Sequence, residues 1–436
     1  MRPAARIQAC IELLEQQQET KTPADRLQSA YYRQRRYIGS KDKAAISELF
    51  YSVLRQKATL DYALSTQKLA CSSPLRAALL SFNQGHDVKA LFSGEKFAPR
   101  RLDSKTIESL ELANKVDLSL APLHIQCNFP EWLETKLADS LGQQLEGEMR
   151  AMNERASTDV RVNTLKATRE SAMQNIVDAG YQLEACQLSP WGIRFRSKVA
   201  LFNLPIFKQG WLEVQDEGSQ LLALLSAAKA GDRVVDFCAG AGGKTLALAA
   251  MMENKGSVWA TDVHSKRLEQ LALRKKRAGA HNIRTHLLSS ENDKWVKKHA
   301  ETADVVLLDA PCTGTGTWRR NPDSRWNLRP LDIEELIELQ QSILESAKRL
   351  VKPGGTLVYA TCSLLKDENE RQVARFLDGN PDFEPKPIGL PKSLQTQQHR
   401  FKCNGHQFRS FSALSGTDGF YLATLKKVKL NESTEG

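Results

Sequence analysis

No run of 18 apolar residues occurs in the 436-residue chain, so no membrane-spanning helix is expected. The opening stretch MRPAARIQACIELLEQQQET has no continuous apolar core and no small-residue cleavage site, because Glu12, Glu15 and Gln16 to Gln18 interrupt it, which leaves the cytoplasm as the expected location. The eight cysteines (10, 71, 127, 186, 238, 312, 362 and 403) include no C-x-x-C pair and adjoin no histidine cluster. That spacing speaks against a zinc site or a disulfide framework, so reduced thiols and no metal are expected. Internal repeats are absent, and glycine is rare over the first 125 residues.

What is present is an ordinary globular balance, 41% hydrophobic and 26% charged, at a length that predicts two or three domains. Lys and Arg number 61 against 51 Asp and Glu, a formal charge of +10 that makes a polyanion the first partner to consider. Residues 1–125 show apolar spacings of three and four (Ile7, Ile11, Leu14; Ile46, Leu49, Phe50, Val53, Leu54), which predict a helical domain. Its first 60 residues hold 11 Lys and Arg against 6 Asp and Glu, and YYRQRRY (31–37) interleaves aromatics with arginines as an RNA-facing patch would. From 126 to 228 short mixed segments predict a small α/β module: FPEWLETKLADSL as an amphipathic helix, TDVRVNTL and WGIRFRS as strands. Residues 229–428 alternate strand and helix, which predicts a Rossmann-like α/β domain with a mostly parallel, seven-stranded sheet. Its strands are RVVDFCA, GSVWATDV, NIRTHLLS, ADVVLLDAP, GGTLVYATC, one near 403–409, and GFYLATLKK; the polar tail 429–436 is expected to be disordered.

The segment DFCAGAGGKT (236–245) follows an apolar strand and opens the helix LALAAMM. A P-loop needs glycine where this chain has Cys238, and the dinucleotide fingerprint needs one where it has Thr245. A glycine turn set against a helix N-terminus remains, with Asp262 placed 22 residues after Gly240 to meet a ribose diol. A bare adenosine-type ligand suits this arrangement, and S-adenosylmethionine is the commonest one on such a sheet. Two further strands end in Asp309, Pro311 and Cys312, and in Thr361, Cys362 and Ser363. Ligands sit outside the carboxyl ends of parallel strands, so both thiols and Asp309 should meet the glycine turn in one crevice.

DFCAGAGGKT, DAPCTGTG with RRNPDSRW, GGTLVYATCSLLKDEN and the final DGFYLATLKK closely resemble the motifs of RsmB/Sun-type (NOL1/NOP2/Sun) RNA cytosine-5 methyltransferases. RVNTL with GWLEVQDEGSQL resembles that family's small RNA-recognition module, and KDKAAISELFYSVLR its NusB-like N-terminal domain. The resemblance implies Cys362 as nucleophile and Cys312 as the group assisting release, with Cys238, Ala239, Gly240, Ala241, Gly242, Gly243, Lys244, Asp262 and Asp309 around the methyl donor and target base. It also implies Arg161, in RVNTL, as an RNA contact. The family's acidic residue after the third strand falls here on Ser289 and Ser290, with Glu291 next.

Carbon 5 of cytosine is a poor nucleophile. A thiolate adding to carbon 6 turns the ring into an enamine that can attack a sulfonium methyl, after which a base must take the carbon-5 proton. The insert TWRRNPDSRW (317–326) is expected to grip RNA through Trp318, Arg319, Arg320, Arg325 and Trp326, while the basic helix SKRLEQLALRKKRAG (265–279) is expected to be a solvated outer face. The resulting expectation is a monomeric, cytoplasmic enzyme using S-adenosylmethionine on RNA, ribosomal RNA first and transfer RNA second, with no membrane and no metal. A silent RNA-binding assembly factor is the alternative, and it has no chemical need of two thiols.

Overall fold

The computed structural model describes residues 1–197 and 199–428, so the tail 429–436 lies outside the described residues. The chain divides into two compact units: Met1–Glu154 with Trp318–Arg329, and Arg155–Thr317 with Pro330–Gly436.

The first unit is helical. Its principal helices span Pro3–Thr20, Ala24–Gln34, Ser40–Arg55, Lys57–Thr66, Ser73–Asn83 and Ser104–Ala113, followed by shorter ones ending at Leu145–Ala151. The apolar stripes read from the sequence face inward: Ile7, Ile11, Leu14, Ile46, Phe50, Val53 and Leu54 share one buried core. Proline at the start of the first helix uses its fixed φ where no intrahelical N–H partner is needed.

The insert after Cys312 corrects an expectation. Trp318 and Arg325 are 0% exposed and Arg319 is buried, so these side chains are packed inside the helical unit. Arg320 is half-buried. The Arg325 guanidinium donates to the Asn128 and Met152 carbonyls (2.7 and 2.9 Å) and to Asn153 Oδ1 (2.5 Å), and it lies 4.9 Å from the Trp318 ring. Trp326 Nε1 donates to Leu54 O (2.7 Å), and Asp323 accepts the Ala24 N–H (3.1 Å). A planar fork of five donors suits a cluster of carbonyl oxygens as well as it suits phosphate, and here it meets three acceptors at once. Burial lowers the Arg325 guanidinium to about 9.

FPEWLETKLADSL is helical, at Glu131–Leu133 and Glu134–Leu141, but it lies in the first unit, while 155–228 and the catalytic sheet form one unit.

The second unit holds two sheets. Strands β1 (Thr158–Val162), β2 (Leu183–Ala185), β3 (Gly192–Phe195) and β4 (Leu212–Val214) make an antiparallel sheet in the order β2-β3-β1-β4. The larger sheet contains β5 (Arg233–Asp236), β6 (Ser257–Asp262), β7 (Ile283–Leu287), β8 (Ala303–Asp309), β9 (Val351–Thr361), β10 (Phe383–Pro385), β11 (Phe401–Asn404), β12 (Gln407–Ser410) and β13 (Phe420–Lys427). Its order is β11-β12-β13-β9-β8-β5-β6-β7, with β10 on β13; β5 to β9 are mutually parallel and the rest antiparallel.

Among the described residues this sheet has nine strands where seven were expected. The single strand expected near 403–409 is a hairpin, closed by Gly405 and His406 with Gly405 at φ +58°. Alternate residues of the central strands feed cores on the two faces, Val234, Leu307 and Val358 on one and Val235, Val306 and Leu357 on the other. Continuous apolar runs such as VVLL are what a sheet covered on both faces requires.

Candidate active site

The parallel strands deliver their carboxyl ends to one cavity of about 670 Å³, lined by Cys238, Ala239, Gly240, Ala241, Gly243, Lys244, Asp262, Asp309, Cys312 and Cys362. Every cofactor and catalytic position expected from sequence lies on this wall except Gly242, which sits behind it. Gly242 has φ +83°, and a Cβ there would stand 2.2 Å from Leu271 Cδ1, so only glycine lets the turn close against its neighbour helix. The turn is fastened from both sides. Gly240 N and His264 N donate to the two Asp262 oxygens (2.8 Å each), and Arg274 Nη1 donates to Ala241 O (2.7 Å).

Two carboxylates that the sequence reading assigned to no role, Asp236 and Glu291, also line the cavity. Asp236 Oδ2 accepts from Thr245 Oγ1 (2.6 Å), whereas buried Oδ1 has no hydrogen-bond partner among the described residues. Burial pushes this carboxyl up to about 7. An unsatisfied acceptor on a cavity wall suits the ammonium of an amino-acid-bearing ligand. Glu291, next after Ser289 and Ser290, lines the cavity and accepts from Ser342 Oγ (2.8 Å), while Ser289 Oγ donates to Asp293 Oδ2 (2.7 Å). With Leu288, Phe237, Ala310 and Ile343 as apolar walls, this donor set fits S-adenosylmethionine.

Beside the turn, Lys244 Nζ contacts Asp309 Oδ2 at 2.6 Å. Burial works to lower the ammonium, but the Asp309 carboxylate outweighs it and the Lys244 pKa is raised. The cation therefore stays protonated inside the cavity. Cys312 and Cys362 come from the ends of β8 and β9, with Sγ atoms 3.4 Å apart. The hydrogen bond to Cys362, burial and the Cys362 charge hold the Cys312 thiol well above its ordinary value. Cys238 is also pushed well up, by burial and then by Asp309 and Asp262, which removes it as a nucleophile.

The loops bearing the thiols are stitched together. Gly316 N donates to Cys362 O (2.9 Å) and Gly419 N to Gly316 O (2.8 Å). A Cβ on Gly316 would lie 2.1 Å from Gly419 O, so the approach admits no side chain.

Arg161 is corrected as an RNA contact. It is 1% exposed, and its Nε donates to Gln215 Oε1 (2.8 Å), so it acts on the cavity only by positioning Gln215 on the wall. The helix Ser265–Ala278 is not merely an outer face either. Arg274 and Arg277 pair with the buried Glu213 (2.8 and 2.5 Å), and Arg267 and Arg274 line the cavity. Away from it, Asp159, Cys186 and Glu217 cluster within 4.8 Å of one another. Arg194 already occupies both carboxylates (2.8 and 3.3 Å), and backbone N–H groups of Leu188 and Ser189 take the remaining Glu217 oxygen (2.5 and 2.9 Å), so the cluster is an internal ion network.

Residues 223–426 match the family described as 16S rRNA methyltransferase RsmB/F, and residues 129–201 match the ferredoxin-like domain of RsmF/B-like methyltransferases. The probable ribosomal RNA small subunit methyltransferase B of Synechocystis sp. is 35% identical over 330 residues, covering 72% of this chain and 70% of that protein. The ribosomal RNA small subunit methyltransferase B of Klebsiella pneumoniae (strain 342) is 31% identical over 388 residues, 82% of this chain and 86% of that one. Among solved structures, that of PH0851 superposes over 98% of this chain and 99% of its own with a TM-score of 0.78 at 27% identity. A methyltransferase homologue from Pyrococcus horikoshii gives a TM-score of 0.60 over 72% of this chain and all of its own, at 27% identity.

Proposed function

Because the chain belongs to the RsmB/F family of rRNA methyltransferases, we propose that it methylates carbon 5 of a cytosine in small-subunit ribosomal RNA through a covalent bond to Cys362. The observation that carries this reading is the pair of thiols 3.4 Å apart on the wall of the cofactor cavity. S-adenosylmethionine, when bound, supplies an electrophilic methyl group.

Cys312 keeps its proton and points it at the Cys362 sulfur as a hydrogen bond, and Cys362, its own proton released to water, attacks as the thiolate. The Cys362 Sγ–carbon 6 bond forms as the carbon 5–carbon 6 double bond opens toward carbon 5. Lys244, kept cationic by Asp309, offers donor protons to the ring edge where negative charge collects. With Cys362 in a covalent bond, its charge and its acceptor lone pair no longer hold Cys312 up. Cys312 then sheds its proton to water and accepts the one from methylated carbon 5. The Cys362–carbon 6 bond breaks as the ring double bond re-forms, Cys362 leaves as the thiolate, and Cys312 again holds a proton.

The test is bisulfite sequencing of small-subunit rRNA from cells with and without the protein, followed by methylation of the unmodified rRNA in vitro. A cytosine that loses protection in its absence and regains it with purified protein is the expected result. No change at any cytosine overturns the proposal.

A further inference from the structure

Four residues flank the two cysteines: Pro311 and Thr313 around one, Thr361 and Ser363 around the other. Thr313, Thr361 and Ser363 are held by a small buried group just after β9, and Pro311 by Gln340, which that group also binds. The Glu368 carboxylate is 0% exposed and accepts four hydrogen bonds: Thr313 N (2.8 Å), Thr313 Oγ1 (2.5 Å), Gln340 Nε2 (2.9 Å) and Ser363 Oγ. Gln340 Nε2 also donates to Pro311 O (2.9 Å). Asn369, equally buried, accepts from Thr361 Oγ1 (2.5 Å) and donates to Ser363 O (2.8 Å). Tyr359, from the strand that leads to Cys362, fixes the clamp by donating to Glu368 O (2.6 Å).

A carboxylate with four donors is acceptor-only, and taking a full charge out of water costs too much unless such donors compensate it. A neutral glutamine fills the same space but offers one acceptor oxygen where the four donors converge on two. Burial pushes the Glu368 carboxyl up, the hydrogen bonds from Ser363, Thr313 and Gln340 pull it back down, and the charge they favour acts on Cys312.

We propose that Glu368, with Asn369 beside it, is the positioning residue of the thiol pair: it holds Cys312 and Cys362 at hydrogen-bonding distance and sets which of them carries the proton. The inference rests on the two-thiol reading above and extends it. Two of the four hydrogen bonds to Glu368 come from Thr313, next to Cys312, and one from Ser363, next to Cys362, so its negative charge bears more on Cys312 and disfavours a second charge there. In agreement, Glu368 is among the groups that raise the Cys312 thiol. One buried acid thus converts two chemically identical side chains into a nucleophile and a proton holder.

The test compares wild type with Glu368→Gln, which keeps shape and loses charge, using alkylation by iodoacetamide resolved by peptide mass mapping alongside steady-state methylation. In wild type, Cys362 is expected to alkylate at least about tenfold faster than Cys312, since the thiolate is the reacting form. In Glu368→Gln the ratio should fall below about threefold, and kcat about 100-fold, while KM for RNA stays within about twofold. A purely structural role would lower the melting temperature and leave the alkylation ratio where it was. A variant that still binds the cofactor and keeps the wild-type ratio overturns the proposal. If Glu368→Gln no longer binds the cofactor, Thr313→Val decides: it leaves the charge and removes one tie, so kcat should drop about tenfold with the ratio preserved, and an unchanged kcat overturns the proposal. Alkylation uses no RNA, so a failure of the substrate reading registers separately from a failure of the clamp.

Discussion

Cys312 and Cys362, 50 residues apart in sequence, share a hydrogen bond between sulfurs 3.4 Å apart at the ends of adjacent parallel strands. Parallel pairing of β8 with β9 makes this geometry possible, because both chains run to the same edge and both turn away just beyond it. A pair so arranged divides one reaction between two sulfurs.

Replacing Cys362 by Ala should reduce methyl transfer to background, because no covalent activation of the ring remains. Calorimetric titration should show S-adenosylmethionine binding within about threefold of wild type, since the thiol is not one of the groups that fit the cofactor. Measurable turnover by this variant contradicts the mechanism.

Replacing Cys312 by Ala should leave Cys362 able to add to the ring and unable to leave it. Under turnover conditions, a denaturing gel should show protein covalently attached to RNA, sensitive to nuclease. A variant that turns over without accumulating adduct assigns proton removal to another group.

Asp236 predicts a pH dependence. Burial raises its carboxyl from 3.8 to about 7. An acid raised in the folded chain stabilises the fold while both states hold the proton, and that contribution is lost as the pH climbs from about 4 to about 7. The melting temperature of the free protein should fall across that window, and Asp236→Asn should remove most of the slope. The cofactor's ammonium favours the ionised form, so wild-type affinity should rise over the same window by about tenfold, with no such rise in Asp236→Asn. Affinity that is flat with pH in wild type sinks this assignment.

Arg325→Ala should destabilise the helical unit by about 3 kcal/mol, since it strips the Asn128 and Met152 carbonyls of their donor inside a packed core. Arg325→Lys should recover less than half, because an ammonium cannot reach all the acceptors at once. Urea denaturation gives the stability and filter binding gives the RNA affinity. A tenfold loss of RNA affinity with unchanged stability would return Arg325 to the RNA surface.

The glycine turn, Lys244, Asp262, Asp309 and the two cysteines were legible because each sits where a parallel strand ends, and strand ends in such sheets face the ligand whatever surrounds them. Glu368 was in plain view within GGTLVYATCSLLKDEN, yet its meaning depends on Thr313, 55 residues earlier, and no local pattern announces that meeting. Trp318 and Arg325 were misread for a related reason. A segment rich in Trp and Arg carries the same composition whether it stacks on bases or plugs a core, and the deciding partners, Asn128 and Met152, lie far away in sequence. The helix at 131–141 was placed correctly as a helix, but amphipathicity tells that a face is buried and not in which core. The hairpin at 401–410 carries its signal in Gly405, whose positive φ opens a two-residue turn with His406 in the middle of what otherwise reads as one strand.

The helical unit is assembled from two stretches of chain, Met1–Glu154 and the twelve residues Trp318–Arg329. A ribosome that has delivered the first 154 residues has made a unit still missing its tryptophan plug and the guanidinium that caps its carbonyls. That unit must wait, incomplete, through the synthesis of the small sheet and of strands β5 to β8 before it can close. Its order of folding is therefore tied to that of the catalytic sheet, and cutting the chain at a single point between them leaves an apolar tryptophan bare on one side and an open core on the other.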